Sequence, residues 1–369
     1  MKRKILIILL VFSFFLSGSY YEENIEKQLD YAENSGFMDE ISDEAKAILE
    51  RIGINGLDPE KLGEISAKDI FILIWESFVS KIKEPFYSVL TVTAAAMICS
   101  VAGSFCENFS LTGNVINIVS ALSSAAIFLV PVKNLISSAS AVIDECSDFI
   151  LGFVPVYTSA IIASGYVSSG AGFRTMMLGT VTVISKLSDE IIVPLICIYL
   201  ALCVAGSVSD MNIGEISKTI KNFAVWLLGI TMTVFSGIMG LGTLISSSAD
   251  SAFSKTAKFL IGSAVPIVGS TVSDALSTVK SCLGVTRTVL GTYAVIVIAA
   301  IFLPPIISLL SWKICLSVSS GIGNFFGNKS LSGLLSAVSS VVGIMLALVV
   351  VTAVMFIFAV SIMLMTGGG

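Results

Sequence analysis

From about Pro85 onward the chain is a succession of apolar segments of membrane-spanning length. A helix needs about 20 apolar residues to cross a hydrocarbon core of about 30 Å. No water is available there, so each spanning segment must pair its own backbone polar groups. These runs therefore predict an all-α, polytopic membrane protein. The segments are 85–106, 111–132, 149–173, 175–208, 222–248, 259–280, 288–312 and 331–366. Residues 134–148 read as a connection, ending in Asp144, Glu145 and Asp148. Polar breaks fall at 209–221, 249–258 and 313–330, and Gly367–Gly369 is a tail.

The later segments repeat. Phe149–Ser159 (FILGFVPVYTS) resembles Phe259–Ser270 (FLIGSAVPIVGS): an aromatic start, a Gly, a Val-Pro pair and a Ser. A lone Arg follows each, Arg174 and Arg287, and then an apolar segment holding Pro194 or Pro304-Pro305. A third segment carries Gly229-Ile230 or Gly343-Ile344. Pro155 to Pro266 and Gly229 to Gly343 keep offsets of 111 and 114 residues. A tandem duplication with units at 149–248 and 259–366 accounts for this pattern. Transporters are often built from such repeats, with sites where Gly and Pro interrupt corresponding segments. The expected breaks are Pro155, Pro266, Pro194, Pro304 and Pro305. If every segment crosses there are about eight transmembrane helices, the last six after a pair at 85–148. If the Val-Pro segments are re-entrant there are six. The positive-inside rule does not orient the eight-helix arrangement, because its loops place five basic residues on each side.

Composition narrows the function. The chain is 55% hydrophobic and 13% charged, with mean hydropathy +0.95, where soluble domains are nearer 25% charged. There is no histidine, which removes His-based triads and His metal sites. Residues 20–80 hold 15 acidic and 5 basic residues, against 10 and 11 from Pro85 on. The net charge of −5 thus belongs to one short segment, and no basic face for nucleic acid exists. The seven cysteines have no C-x-x-C spacing and read as small hydrophobes. Gly323–Ser330 lacks the Gly-Lys-Ser/Thr junction of a phosphate loop. No cofactor, metal site or enzymatic activity is expected.

Lys2-Arg3-Lys4, the apolar Ile5–Leu16 and Ser17-Gly18-Ser19 form a secretory signal peptide, residues 1–19. Cleaved or retained as an anchor, it exports residues 20–84. Ser42 is the expected N-cap of a helix whose apolar stripe is Ile41, Ala45, Ile48, Leu49 and Ile52, stopped by Gly53. Ser66 opens a second helix with Ile70, Ile74, Phe78 and Ile82 on one face. This helix either lies along the membrane surface or packs in a helical hairpin. The segment is too short for much of a core, so a partner or the membrane is expected to cover its stripe.

Charges within the apolar region are the functional pointers, because such charge marks a pathway or a buried pair. Lys186 has Asp189 and Glu190 at i+3 and i+4, on one helix face. Asp274 follows the second Val-Pro segment. The competing readings are a helix break at the bilayer surface for Lys186–Glu190, and a helix-end position for Asp274.

Ser248–Asp274 (SADSAFSKTAKFLIGSAVPIVGSTVSD) carries a family likeness. Its Thr-Ala-Lys-Phe entry, its Pro266–Gly269 core and the trailing Asp274 resemble the stage III sporulation protein AE family of endospore-forming bacteria. The signal peptide, short exported segment and order of apolar segments resemble it as well. The resemblance implies a multi-pass protein of the mother-cell membrane around the engulfed forespore. It also implies partners: the other stage III sporulation A-operon proteins and stage II sporulation protein Q. Together they would form a channel or secretion-like complex that maintains the forespore and permits late forespore gene expression. The alternative is a stand-alone secondary transporter of a small solute.

Overall fold

The computed structural model describes residues 29–30, 32–54, 56–58, 61–62, 66–105, 110–208, 214–264, 269–325 and 329–366. Capping chemistry sets the first helices. Helix α1, Asp43–Arg51, starts where the Ser42 hydroxyl accepts from the Ala45 N–H at 3.4 Å. Its C-terminus closes through Gly53, at φ +83°. The Gly53 N–H reaches the Glu50 carbonyl and the Ile54 N–H the Leu49 carbonyl, a paired closure that needs a left-handed residue. Helix α2, Ala67–Lys81, starts at Ser66, whose hydroxyl accepts from the Lys68 N–H at 3.2 Å. Lys81–Glu44 (2.7 Å) and Arg51–Glu76 (3.5 Å) link α1 to α2, while both helices pack chiefly on the later helix Gly269–Phe325.

Helix α3 is Lys83–Phe105 and α4 is Ser110–Ala163. Helix α5, Val167–Lys186, runs through a π-helical turn, Leu187–Ile192, into α6, Val193–Val208. Then come α7, Gly214–Ala264; α8, Gly269–Phe325; and α9, Lys329–Thr366. All regular structure among the described residues is helical.

The rods are longer than the sequence segments. Helix α4 has 54 residues, about 81 Å at 1.5 Å per residue. It contains the expected crossing 111–132, the expected connection 134–148 and the start of the first Val-Pro segment. The break expected at 249–258 lies inside α7, and much of that at 313–330 lies inside α8. These stretches hold no proline, so the helix continues, with Asp144, Asp148, Lys255 and Lys313 outward and Asp250 buried. Five stretches among the described residues are long and apolar enough to cross a membrane: Ala125–Ala163, Val167–Gly206, Lys218–Thr256, Gly284–Phe325 and Leu331–Leu364. The chain is a multi-pass membrane protein. The count differs from the expected eight because α4 joins two expected crossings into one rod, and because the side chains of much of the expected crossings 85–106 and 259–280 lie outside the described residues.

Three expected proline breaks are not breaks. Pro155 lies inside α4, and Pro304 and Pro305 lie inside α8. A proline removes one intrahelical hydrogen bond, which a packed membrane bundle tolerates. Pro194 stands at the second residue of α6, just beyond the π-turn. Pro266 lies outside the described residues.

Helix α8 runs antiparallel to α4, with Trp312 against Phe128 (6.5 Å) and Tyr293 near the Phe149–Phe153 level. It also runs antiparallel to α9, through Ser317–Ser339 and Ser320–Ser332 hydroxyl contacts. The α8–α9 hairpin supplies much of the centre: Ala294, Val297, Ile298 and Phe302 on α8, and Val341, Val342, Val349 and Phe356 on α9, are buried.

The segment before α3 docks on this bundle. Phe37 is inserted between α4 and α8, edge-on to Phe149 (6.0 Å), Phe153 (5.8 Å) and Tyr293 (6.3 Å). Gly152 permits this, since a Cβ there would stand 3.2 Å from Phe37 Cβ. The Ser42 N–H donates to Glu145 Oε1 at 3.1 Å. Ile41, Ala45 and Leu49 are buried in the same core. The chain's own helices therefore cover the α1 stripe, in place of the partner or membrane expected. On α2, Leu73 is buried while Phe71 and Trp75 are exposed.

Candidate functional site

The turn between α4 and α5 carries the densest group of buried polar atoms. Helix α4 ends on Gly165, φ +87°, with the Gly165 N–H on the Ile162 carbonyl and the Tyr166 N–H on the Ile161 carbonyl. This closure folds the chain back inside the segment read from sequence as 149–173. Helix α5 then starts with no side-chain cap from Tyr166. Its cap comes from α7 instead. Asp250 Oδ1 accepts from the Ser168 N–H and Oδ2 from the Ser169 N–H, both at 2.8 Å. A carboxylate at a helix N-terminus gains both the hydrogen bonds and the dipole, which is how a buried Asp250 is stabilised.

Phe149, Phe153 and Tyr157 recur every four residues and stack at 5.7 and 5.1 Å. Phe173 of α5 meets the Tyr157 ring edge-on at 5.2 Å. Gly291 of α8 admits the tip of this column: a Cβ there would lie 3.0 Å from Tyr157 Oη and 2.5 Å from Leu364 Cδ2. One turn away, the Arg287 guanidinium lies over the Tyr166 ring at 5.3 Å. Arg287 is only 4% exposed. Its Nε has no hydrogen-bond partner, nor do Tyr157 Oη and Ser169 Oγ. Among the described residues the ion pairs are Arg51–Glu76, Lys61–Asp58 and Lys81–Glu44, so Arg287 has no carboxylate there. A narrow cavity between α5, α7 and α9 is lined by Ser169, Phe173, Met176, Thr243 and Met363.

A second polar node lies farther along the bundle. Lys221 Nζ reaches Ser340 Oγ at 3.4 Å. Tyr199 of α6 also hydrogen-bonds Ser340, and Lys313 Nζ stands 3.6 Å from the Cβ position of Gly343.

The profile of one family, described as stage III sporulation protein AE, matches residues 59–367. The chain belongs to the stage III sporulation protein AE family. The match takes in every helix from α2 to α9. The chain is also similar to a protein of Bacillus subtilis (strain 168) named stage III sporulation protein AE, at 22% identity over 233 residues. That likeness covers 63% of this chain and 58% of the relative. No solved structure matches.

In this member of the stage III sporulation protein AE family, Lys186, Asp189 and Glu190 are brought to the π-turn. Lys186 closes α5, while Asp189 and Glu190 stand within the turn, all three exposed. Lys186 makes no ion pair with Asp189 or Glu190. The turn shifts the buried face by one residue. In unbroken α-helix, Ile191 and Ile198 would continue the stripe of Met177, Ile184 and Ser188. Instead Ile192, Ile196 and Tyr199 are 0, 1 and 5% exposed, and Ile191 and Ile198 are 42 and 53% exposed. Such turns cluster at functional positions. Asp274 stands on α8, and its side chain lies outside the described residues. Asp250, Tyr157 and Ser169 escaped the sequence reading, and Arg287 was read only as a repeat landmark. A lone acidic residue in the Ser-rich stretch 246–251 is the signal that could have found Asp250.

Proposed function

We propose that this chain is an integral membrane subunit of the channel or secretion-like complex joining mother cell and forespore. In this reading it sits in the mother-cell membrane around the forespore. It acts with the other stage III sporulation A-operon proteins and stage II sporulation protein Q, and it is needed for forespore maintenance and late forespore gene expression. The family match through every helix from α2 to α9 is the observation that carries this. The exported segment lends less support than its sequence promised, because the bundle itself covers its α1 stripe. The two-unit repeat belongs to the same proposal. At an offset of about 111 residues, the order α4, α5–α6, α7 falls on α7, α8, α9, which supports it.

The test is capture of the tagged chain from sporulating cells during engulfment, with a parallel assay of the purified chain in liposomes. The operon proteins should co-purify, and the chain alone should move no solute. Solute transport by the chain alone, with no partner captured, would overturn the proposal in favour of the transporter.

A further inference from the structure

We propose that Arg287, Tyr157 and Tyr166 form an oxyanion-binding site inside the bundle, whose ligand presents a carboxylate or phosphate group. Arginine stays protonated in any protein setting. Burying that charge without a counter-ion is strongly unfavourable. The Tyr166 ring beneath the guanidinium compensates only in part. Asp250 is the one buried acid among the described residues, but both its oxygens are engaged by the N-terminus of α5. Among the described residues the positive charge is therefore left over, and Arg287 Nε stays without a partner.

The surroundings suit an anion. Tyr157 Oη is fully buried, unbonded and held against α8 at Gly291, one turn from Arg287. As a hydroxyl it donates to an oxyanion that the guanidinium fork grips. The wall continues through Phe173, edge-on to Tyr157, to the cavity where Ser169 Oγ is also buried and unbonded. Exposed Arg174, the other lone arginine of the repeat, has no such enclosure. The inference stands whether or not the channel reading does, because it rests on these side chains alone.

The experiment uses the full chain in nanodiscs of neutral phosphatidylcholine, with thermal unfolding followed by tryptophan fluorescence. Succinate and inorganic phosphate are titrated separately against chloride of equal ionic strength. A third arm replaces part of the lipid with phosphatidylglycerol and adds no free anion, which separates a headgroup source from a soluble one. At least one oxyanion source should raise the melting temperature beyond chloride. The effect should weaken at least tenfold in apparent affinity in Arg287→Lys, which keeps the charge and loses the fork. It should be intact in Arg174→Gln. Arg287→Met, which replaces the unpaired charge with an apolar chain, should melt no lower than the parent without anion and should gain nothing from it. No response to any oxyanion source overturns the proposal. So does a response that survives Arg287→Met, or an Arg287→Met variant that cannot fold.

Discussion

Phe37→Ala is the perturbation that tests how the N-terminal segment is held. The ring is buried between α4 and α8 and meets three aromatic rings edge-on. Truncating a packed Phe to Ala costs about 3–5 kcal/mol. At about 1.4 kcal/mol per decade, the undocked population of the segment should rise by about two to three and a half orders of magnitude. The segment does not simply fall away, because Ile41, Ala45, Leu49, Ile54 and Leu57 still bury their side chains. The change is therefore local, and hydrogen exchange read by mass spectrometry is the suitable assay. Peptides over Asp43–Arg51 should lose protection by that factor, while those over Val297–Phe302 keep theirs. Gly152→Val should act from the other side, since its Cβ meets Phe37 Cβ at 3.2 Å and the Phe37 backbone at 3.4 Å. The two changes touch one contact, so their effects should fall short of additivity. Unchanged exchange in α1, or equal acceleration in α1 and α8, would refute the docking argument.

Asp250→Ala removes two charge-assisted hydrogen bonds to α5. It should cost about 1.5–3 kcal/mol, seen as exchange one to two decades faster over 167–173 with α1 unaffected. Gly165→Ala places a Cβ at φ +87° and should lower stability by about 1–2 kcal/mol, measured by thermal unfolding in nanodiscs. Asp274→Asn and Lys186→Met should each stall sporulation after engulfment at normal protein level, scored by microscopy and immunoblot. Normal sporulation in both would remove these charges from any pathway. A reporter active only outside the cytoplasm, fused near Gly56, should be active, and a stable but silent fusion would reverse the orientation of the segment.

Capping residues were the most readable part of the chain. Ser42, Gly53 and Ser66 each set a boundary, because capping is local chemistry between neighbours. Polar stretches misled. Lys133, Asp144, Glu145 and Asp148 suggest a connection, yet they ride on one helix, since a charge at an exposed helical position breaks nothing. The reversal at Ser164–Tyr166 was hidden in a run of apolar residues, and only its Gly165 marks it. The site has the same character. Arg287 is visible as a lone charge, but its burial and its neighbours come from helices far apart in sequence. Asp250 caps a helix 81 residues upstream, which no local pattern can announce.

The turn at Leu187–Ile192 makes one stretch of chain strict about its length and loose about its letters. From Ile191 to Ala205 nearly every residue is apolar, so many hydrophobic exchanges would leave the composition of the lipid-facing and inward sides much the same. Adding one residue is another matter. Each residue carries about 100° of helical rotation, so a further insertion in the turn would swing all of α6, and Ile192 and Ile196 would leave the interior. Removing one would instead return the turn to plain α-helix with Ile192 and Tyr199 still on the inward side. Spelling can drift along this rod, while its length is barred from growing by what lies on either side of it.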